Sequence, residues 1–247
     1  MTKIKYNDSC FLLNQDQTNI KGQTYLFDDN GRMLTGWVAR TDADSEYQEI
    51  GGEDSTEWLK SYKAGDVYFC GDEDDGHAKK NKWYKTWRPN QYDAADEDND
   101  EYWYYIDKNG KVYIPSDSDA TGYKYKLKDA KLEDETELKS ITKKKVNSKD
   151  YWFRNDGVML SKFYKINDAM YYFGGSDDGS MKTGSQTVKD NTGDSYKFYF
   201  YTKDQSTEKY ATPEDGNKLK KGAGVVGNQS NTLLARVSSL VTSHDSS

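Results

Sequence analysis

Aromatic and polar positions alternate along this chain in short runs, and each run ends at a polar turn containing glycine. Five segments repeat the pattern: TYLFDDNGRMLTGWV (24–38), VYFCGDEDDGHAKKNKWYK (67–85), WYYIDKNGKVYI (103–114), YWFRNDGVMLSKFYK (151–165) and MYYFGGSDDGSMKTGS (170–185). A period of two in aromatic and β-branched side chains marks a half-buried strand. Asn30-Gly31, Asn109-Gly110 and Asp156-Gly157 tolerate the positive φ that tight hairpin turns need, and 71–76 and 174–179 read as longer versions of the same turn. The pattern therefore predicts an all-β chain of stacked β-hairpin repeats, an elongated solenoid in which each unit leans mainly on its neighbours.

The turn glycines Gly31, Gly76, Gly110, Gly157 and Gly179 are unevenly spaced, so the longer gaps must hold inserted loops or weakened hairpins. Residues 40–57 and 89–101 read as loops. Residues 121–149, where Tyr123, Tyr125 and Leu127 alternate, and 194–202 read as degenerate units. At 225–247, Leu233, Leu234, Val237, Leu240 and Val241 recur at helical spacing after Asn231, which predicts either a short helix capping the array or an unstructured tail. Residues 1–247 are taken as one repeat array.

Composition changes the picture in three ways. Leu, Ile, Val and Phe make up only about 15% of the chain, below the roughly 20% under which disorder becomes a fair expectation. A net charge of −7 is too small for a self-repelling coil, and 21 Tyr with 6 Trp supply large apolar faces, so folding is expected through aromatic packing. With five Arg and an acidic balance the chain lacks the basic footprint of a nucleic-acid binder. No segment has the length of a transmembrane helix. Residues 1–15 lack the apolar run of a secretory signal, so an exported chain would have lost its leader.

Candidate chemistry is sparse. His77 and His244 are the only histidines, one just after a turn glycine and the other in the tail, and neither suggests a triad, a zinc site or a general base. The carboxylates cluster in turns and loops, so catalysis is not expected. Asp96, Asp98 and Asp100 have the spacing of a calcium loop, but Glu101 stands where that loop needs glycine, which leaves a solvated acidic loop at 93–101. No metal or cofactor is expected. Cys10 and Cys70 could form one disulfide or remain two partly buried thiols.

The segments Tyr25–Trp37 and Met170–Gly184 resemble the cell-wall-binding repeat, also called the choline-binding or glucan-binding repeat. The resemblance implies hairpins stacked in a left-handed superhelix on Gram-positive surface proteins. Such proteins attach extracellularly through choline on teichoic acids or bind α-glucans, commonly as the non-catalytic part of a larger protein. It also implies ligand sites where hairpins meet, caged by two Trp and a Tyr. The wall after Thr-Gly is Trp37 in the first unit and Trp83, one residue late, in the second; it becomes Phe163 and Ser185 in the fourth and fifth. The Trp opening the aromatic triplet survives only at Trp103. The resemblance thus points to partial cages at Trp37 with Tyr68, at Trp83 with Trp103 and Tyr105, and around Phe163 and Tyr172. Trp87, beside Arg88-Pro89, reads either as a sugar platform or as packing. Two functions follow: a cell-wall or carbohydrate-binding module, or a spacer that contacts other surface proteins and has lost its ligand.

Overall fold

The computed structural model describes residues 2–6, 9–13, 17–42, 44–50, 66–72, 74–89, 101–116, 118–128, 131–167, 169–204 and 222. Among these the chain is all-β: its strands pair antiparallel in small sheets, and no helix is present. Two compact units emerge, one of Met1–Ser116 with Asn155–Met159, the other of Asp117–Arg154 with Leu160–Ser247.

In the first unit β1 (Thr2–Tyr6) pairs with β2 (Ser9–Leu13), and β3 (Gln17–Ile20) with β4 (Gln23–Leu26). β5 (Trp37–Arg40) lies between β6 (Gln48–Glu49) and β7 (Asp66–Phe69), and β8 (Lys82–Trp87) pairs with β9 (Glu101–Ile106). In the second unit β10 (Thr121–Lys128) joins β11 (Lys131–Lys139) to β14 (Phe163–Ile166), which pairs with β15 (Ala169–Tyr172). β12 (Thr142–Val146) pairs with β13 (Lys149–Phe153), and β16 (Gly184–Lys189) with β17 (Ser195–Phe200).

One module occurs once in each unit. It opens on a two-residue hairpin turn, Lys21-Gly22 or Asn147-Ser148, with all four residues at positive φ as such turns require. Leu34 N then donates to Leu26 O at 2.9 Å, matched by Leu160 N to Trp152 O at 2.8 Å. The next strand begins after a positive-φ residue, Gly36 or Lys162, which donates to the carbonyl of Gly71 or Gly174. Ala78 N to Thr24 O at 2.8 Å and Met181 N to Asp150 O at 2.7 Å close the module, beside the bridges Tyr25–His77 and Tyr151–Ser180. In both copies the last turn reads Gly-x3-Asp-Gly-x2-Lys, and its Asp and Lys form an ion pair, Asp75–Lys79 or Asp178–Lys182.

The strands at the centre of each module are covered on both faces. Trp37, Ala39, Val67 and Phe69 face one cluster with Tyr104 and Ile106, while Val38, Tyr68 and Cys70 face another with Leu26, Leu34 and Tyr47. Likewise Phe163 and Met170 pack with Leu127, Phe198 and Phe200, while Tyr164, Ile166, Tyr171 and Phe173 pack with Ile141 and Leu160. Each ring pair in favourable geometry contributes about 0.5–1.5 kcal/mol beyond its area burial. The core is therefore aromatic, as the composition implied, with aliphatic side chains filling between rings.

The polar glycine turns differ in role from the sequence expectation. Asp28 Oδ1 accepts from Asn30 N at 3.0 Å and Arg32 N at 2.8 Å, and Asp107 Oδ1 from Asn109 N and Lys111 N at 2.8 and 2.9 Å. These are side-chain-closed turns that lead only to single bridges, Phe27–Met33 and Ile106–Val112, while the two-residue hairpin turns lie elsewhere. The same turn recurs at Asp190, whose Oδ1 accepts from Thr192 N at 2.9 Å and Asp194 N at 3.0 Å between β16 and β17. Residues 121–149 hold the β10–β11 hairpin and the start of β12–β13, and 194–202 hold β17. Cys70 is a free, buried thiol, so the Cys10–Cys70 disulfide is not formed. Trp58, most of the acidic loop at 93–101, His244 and the terminal segment 225–247 lie outside the described residues.

Candidate functional site

Strand alternation divides the β8–β9 hairpin into two faces. One carries Tyr84, Tyr104 and Ile106 and packs on the core: Tyr84 lies 5.0 Å from Phe69 and Tyr104 4.8 Å from Trp37, ring centre to ring centre. The other carries Trp83, Lys85, Trp103 and Tyr105. Trp83 is paired in register with Tyr105, and Lys85 with Trp103. The Trp83 and Tyr105 centroids are 5.3 Å apart at an interplanar angle of 57°. Trp83, Trp103 and Tyr105 are half-buried, and Lys85 is exposed.

The offset of Trp83 explains this placement. Trp37 and Phe163 directly follow their positive-φ residues, Gly36 and Lys162; Trp83 stands two after positive-φ Asn81. A shift of one residue moves a strand side chain to the opposite face. Trp83 is thus removed from the side that Tyr84 and Tyr104 bury.

The other sequence candidates lie in the core. Trp37 is 2% exposed, and its Nε1 donates to Trp87 O at 2.9 Å. Tyr68 is on the opposite face of the same sheet, against Tyr47, so Trp37 and Tyr68 do not form a cage. Trp87 is half-buried and packs edge-on against Phe69 at 5.6 Å. Phe163 and Tyr172 do meet, with centroids 4.5 Å apart; Phe198 lies 5.0 Å from Phe163, which is buried, and Phe200 6.1 Å from Tyr172, which is half-buried. Opposite Ser185, at the wall position without a ring, Tyr199 is left 39% exposed.

Cation–π contacts are already made within the chain. Arg40 lies 4.8 Å from the Tyr47 centroid, Lys82 4.8 Å from Tyr84 and Arg88 4.2 Å from Tyr102. Arg40 also donates to Asp66, and Arg88 approaches Asp156 at 3.6 Å. Burial pushes the Tyr84 phenol up. Sequence reasoning passed over Lys85, although its position two residues after Trp83 on a strand places it on the same face.

Rings tilted against each other on a half-buried face can stack on the C–H face of a sugar or attract a quaternary ammonium. A cation at an exposed ring gains about 0.5–1 kcal/mol. By register Lys85 and Glu101 both belong to this face, so it carries one charge of each sign. Among the described residues no group of His, Cys, Asp or Glu is placed to hold a metal ion, and no helix is long and apolar enough to cross a membrane.

No family model matches the chain. No curated protein matches it either. Among solved structures, it is similar to choline binding protein F from Streptococcus pneumoniae, at 21% identity over 94% of this chain and 81% of that one, with a TM-score of 0.26. It is similar to CbpJ from Streptococcus pneumoniae TIGR4 at 15% identity over 86% and 94%, with a TM-score of 0.22. The modular Cpl-1 endolysin, complexed with a peptidoglycan analogue, is similar at 16% identity over 67% of this chain and 38% of that one, with a TM-score of 0.28.

Proposed function

We propose that the chain is a non-catalytic carbohydrate-binding module of a cell-wall or other extracellular surface, and that the Trp83–Tyr105 face of the β8–β9 hairpin, with Trp103 beside it, receives the sugar. The observation that carries this reading is the placement of that pair. Of the three wall pairs with rings on both strands, Trp83–Tyr105 has both rings only half-buried, whereas Trp37–Phe69 is buried on both sides and in Phe163–Tyr172 only Tyr172 is half-buried. The cell-wall-binding repeat that the sequence resembles fits the same role.

A second reading, a spacer that contacts other surface proteins, is supported by the buried wall pairs and by the tyrosine faces already taken by Arg40, Lys82 and Arg88. Tryptophan fluorescence titrated with dextran and with choline separates the two. A saturable change with dextran that disappears in Trp83→Ala supports the binding module. Silence with both ligands leaves the spacer.

A further inference from the structure

The two copies of the repeated module differ where one position changes the surface. In the first unit Lys80 follows the closing turn, and its Nζ donates to Gly22 O at 2.8 Å, tying the turn to the tip of the β3–β4 hairpin. The matching residues in the second unit are Thr183 and Ser148, by the backbone equivalences of Ala78 with Met181 and Gly22 with Ser148. A threonine is too short to span that gap. A cavity of about 290 Å³ stands at the matching place, lined by Lys149, Asp150, Met181, Thr183 and Gln186 among others.

The lining has a defined chemistry. Asp150 is paired with Lys143 at 3.2 Å, and Lys182 is held by Asp178 and by Ser180 Oγ at 2.8 Å, so those charges are balanced. Lys149 is exposed, and its ammonium makes no hydrogen bond or ion pair among the described residues. Gln186 Nε2 donates to Thr183 O at 2.9 Å, which leaves its Oε1 to accept from a ligand hydroxyl. Ser148 and Thr183 add hydroxyls, and Met181 adds a small apolar wall. Binding pockets start at about 300 Å³, so this volume suits a single ring.

We propose that this cavity is a separate subsite for one carboxylated sugar residue, its carboxylate facing Lys149 and its hydroxyls meeting Gln186, Thr183 and Ser148. The subsite shares no residue with the β8–β9 face and does not depend on the role given to that face. In the first unit the chain's own Lys80 fills the corresponding gap, which makes Thr183 the residue that opens the site.

Isotope-labelled protein titrated with glucuronate, glucose and acetate, followed by amide shifts, tests the assignment. Glucuronate is expected to shift the resonances of Asp150, Met181 and Gln186 saturably, with a dissociation constant on the order of millimolar, and glucose to bind roughly tenfold more weakly. Lys149→Gln should erase the preference of glucuronate over glucose, and Thr183→Lys should abolish the shifts with both while the rest of the spectrum is kept. The proposal is overturned if glucuronate shifts nothing, if glucose binds equally well, if acetate reproduces the pattern, or if Thr183→Lys leaves binding intact. Lys149→Gln changes only an exposed side chain, so it decides the charge assignment even if Thr183→Lys fails to fold.

Discussion

Trp83 and Tyr105 are direct cross-strand partners, their ring centroids 5.3 Å apart on the face of β8–β9 that turns away from Trp37 and Phe69. The same pair position in β5–β7 is Trp37–Phe69, also 5.3 Å apart but 2% exposed on both sides. Two chemically similar pairs therefore differ in burial by one residue of register, and the proposed function gives them opposite duties.

Truncation should separate those duties. Trp37→Ala removes a buried ring and a hydrogen bond and is expected to cost about 3–5 kcal/mol of stability. Trp83→Ala is expected to cost well under half of that and to abolish the dextran response. Urea denaturation with a parallel fluorescence titration checks both; equal destabilisation by the two substitutions would make Trp83 a core residue.

A second expectation concerns backbone strain. Gly36 and Lys162 occupy equivalent positions at φ 62° and 68°. A Cβ at Gly36 would meet nothing within 4 Å, so the conformation alone sets the penalty for a side chain there. Gly36→Lys should lower stability by about 1–2 kcal/mol. Lys162→Gly should raise it, by less than this because glycine is freer in the unfolded chain. Thermal unfolding of both variants tests the pair, and a destabilising Lys162→Gly would contradict it.

Acid sensitivity should centre on Asp66. Burial pushes its carboxyl up, but hydrogen bonds from Lys111 and from Arg40, whose Nη2 donates at 2.7 Å, outweigh burial and hold it below the usual carboxylate range. A group depressed in the folded state stabilises above its unfolded pKa, about 3.9, and that contribution is lost as pH falls from there through the folded value. Asp66→Asn should lower stability at neutral pH and flatten the fall between about pH 5 and pH 3. An unchanged acid limb in Asp66→Asn would remove Asp66 from this role.

Cys70 should be inert while the chain is folded. It is 0% exposed, and burial pushes its thiol up to about 12, so almost no thiolate exists at neutral pH. Iodoacetamide at pH 8 followed by peptide mass mapping should leave Cys70 unmodified in native protein and alkylate it in urea. Modification in the native state would show that the β7 face around it opens.

Much of the fold was legible because aromatic runs with a period of two match the pleat of a strand and conflict with the 3.6-residue period of a helix. The strands at Tyr25, Trp103, Tyr151 and Tyr171 are all where alternation puts them. The hairpin turns were not legible. Lys21, Asn147 and Ser148 take positive φ because the flanking strands impose it, and Lys and Ser carry no local signal for that conformation. The Asp190 turn is disguised because Thr192 stands where Asn30 and Asn109 stand in its two counterparts, although the capping carboxylate is the same. The exposure of each wall aromatic was hidden for a different reason. Sequence shows that a ring is present, but only the pairing register shows which way it points.

The module also closes on itself with very different tips. Arg40 and Asp66 end one copy across residues 41–65, clasped by an ion pair, while Ile166 and Ala169 end the other across residues 167–168. The longer connection includes β6, which pairs back onto β5, so the same module pairing accommodates both a short link and a long insertion. This end of the ribbon is thus an adjustable port, where new sequence of almost any length could be grafted in evolution or in the laboratory while the aromatic stack behind it keeps its pairing.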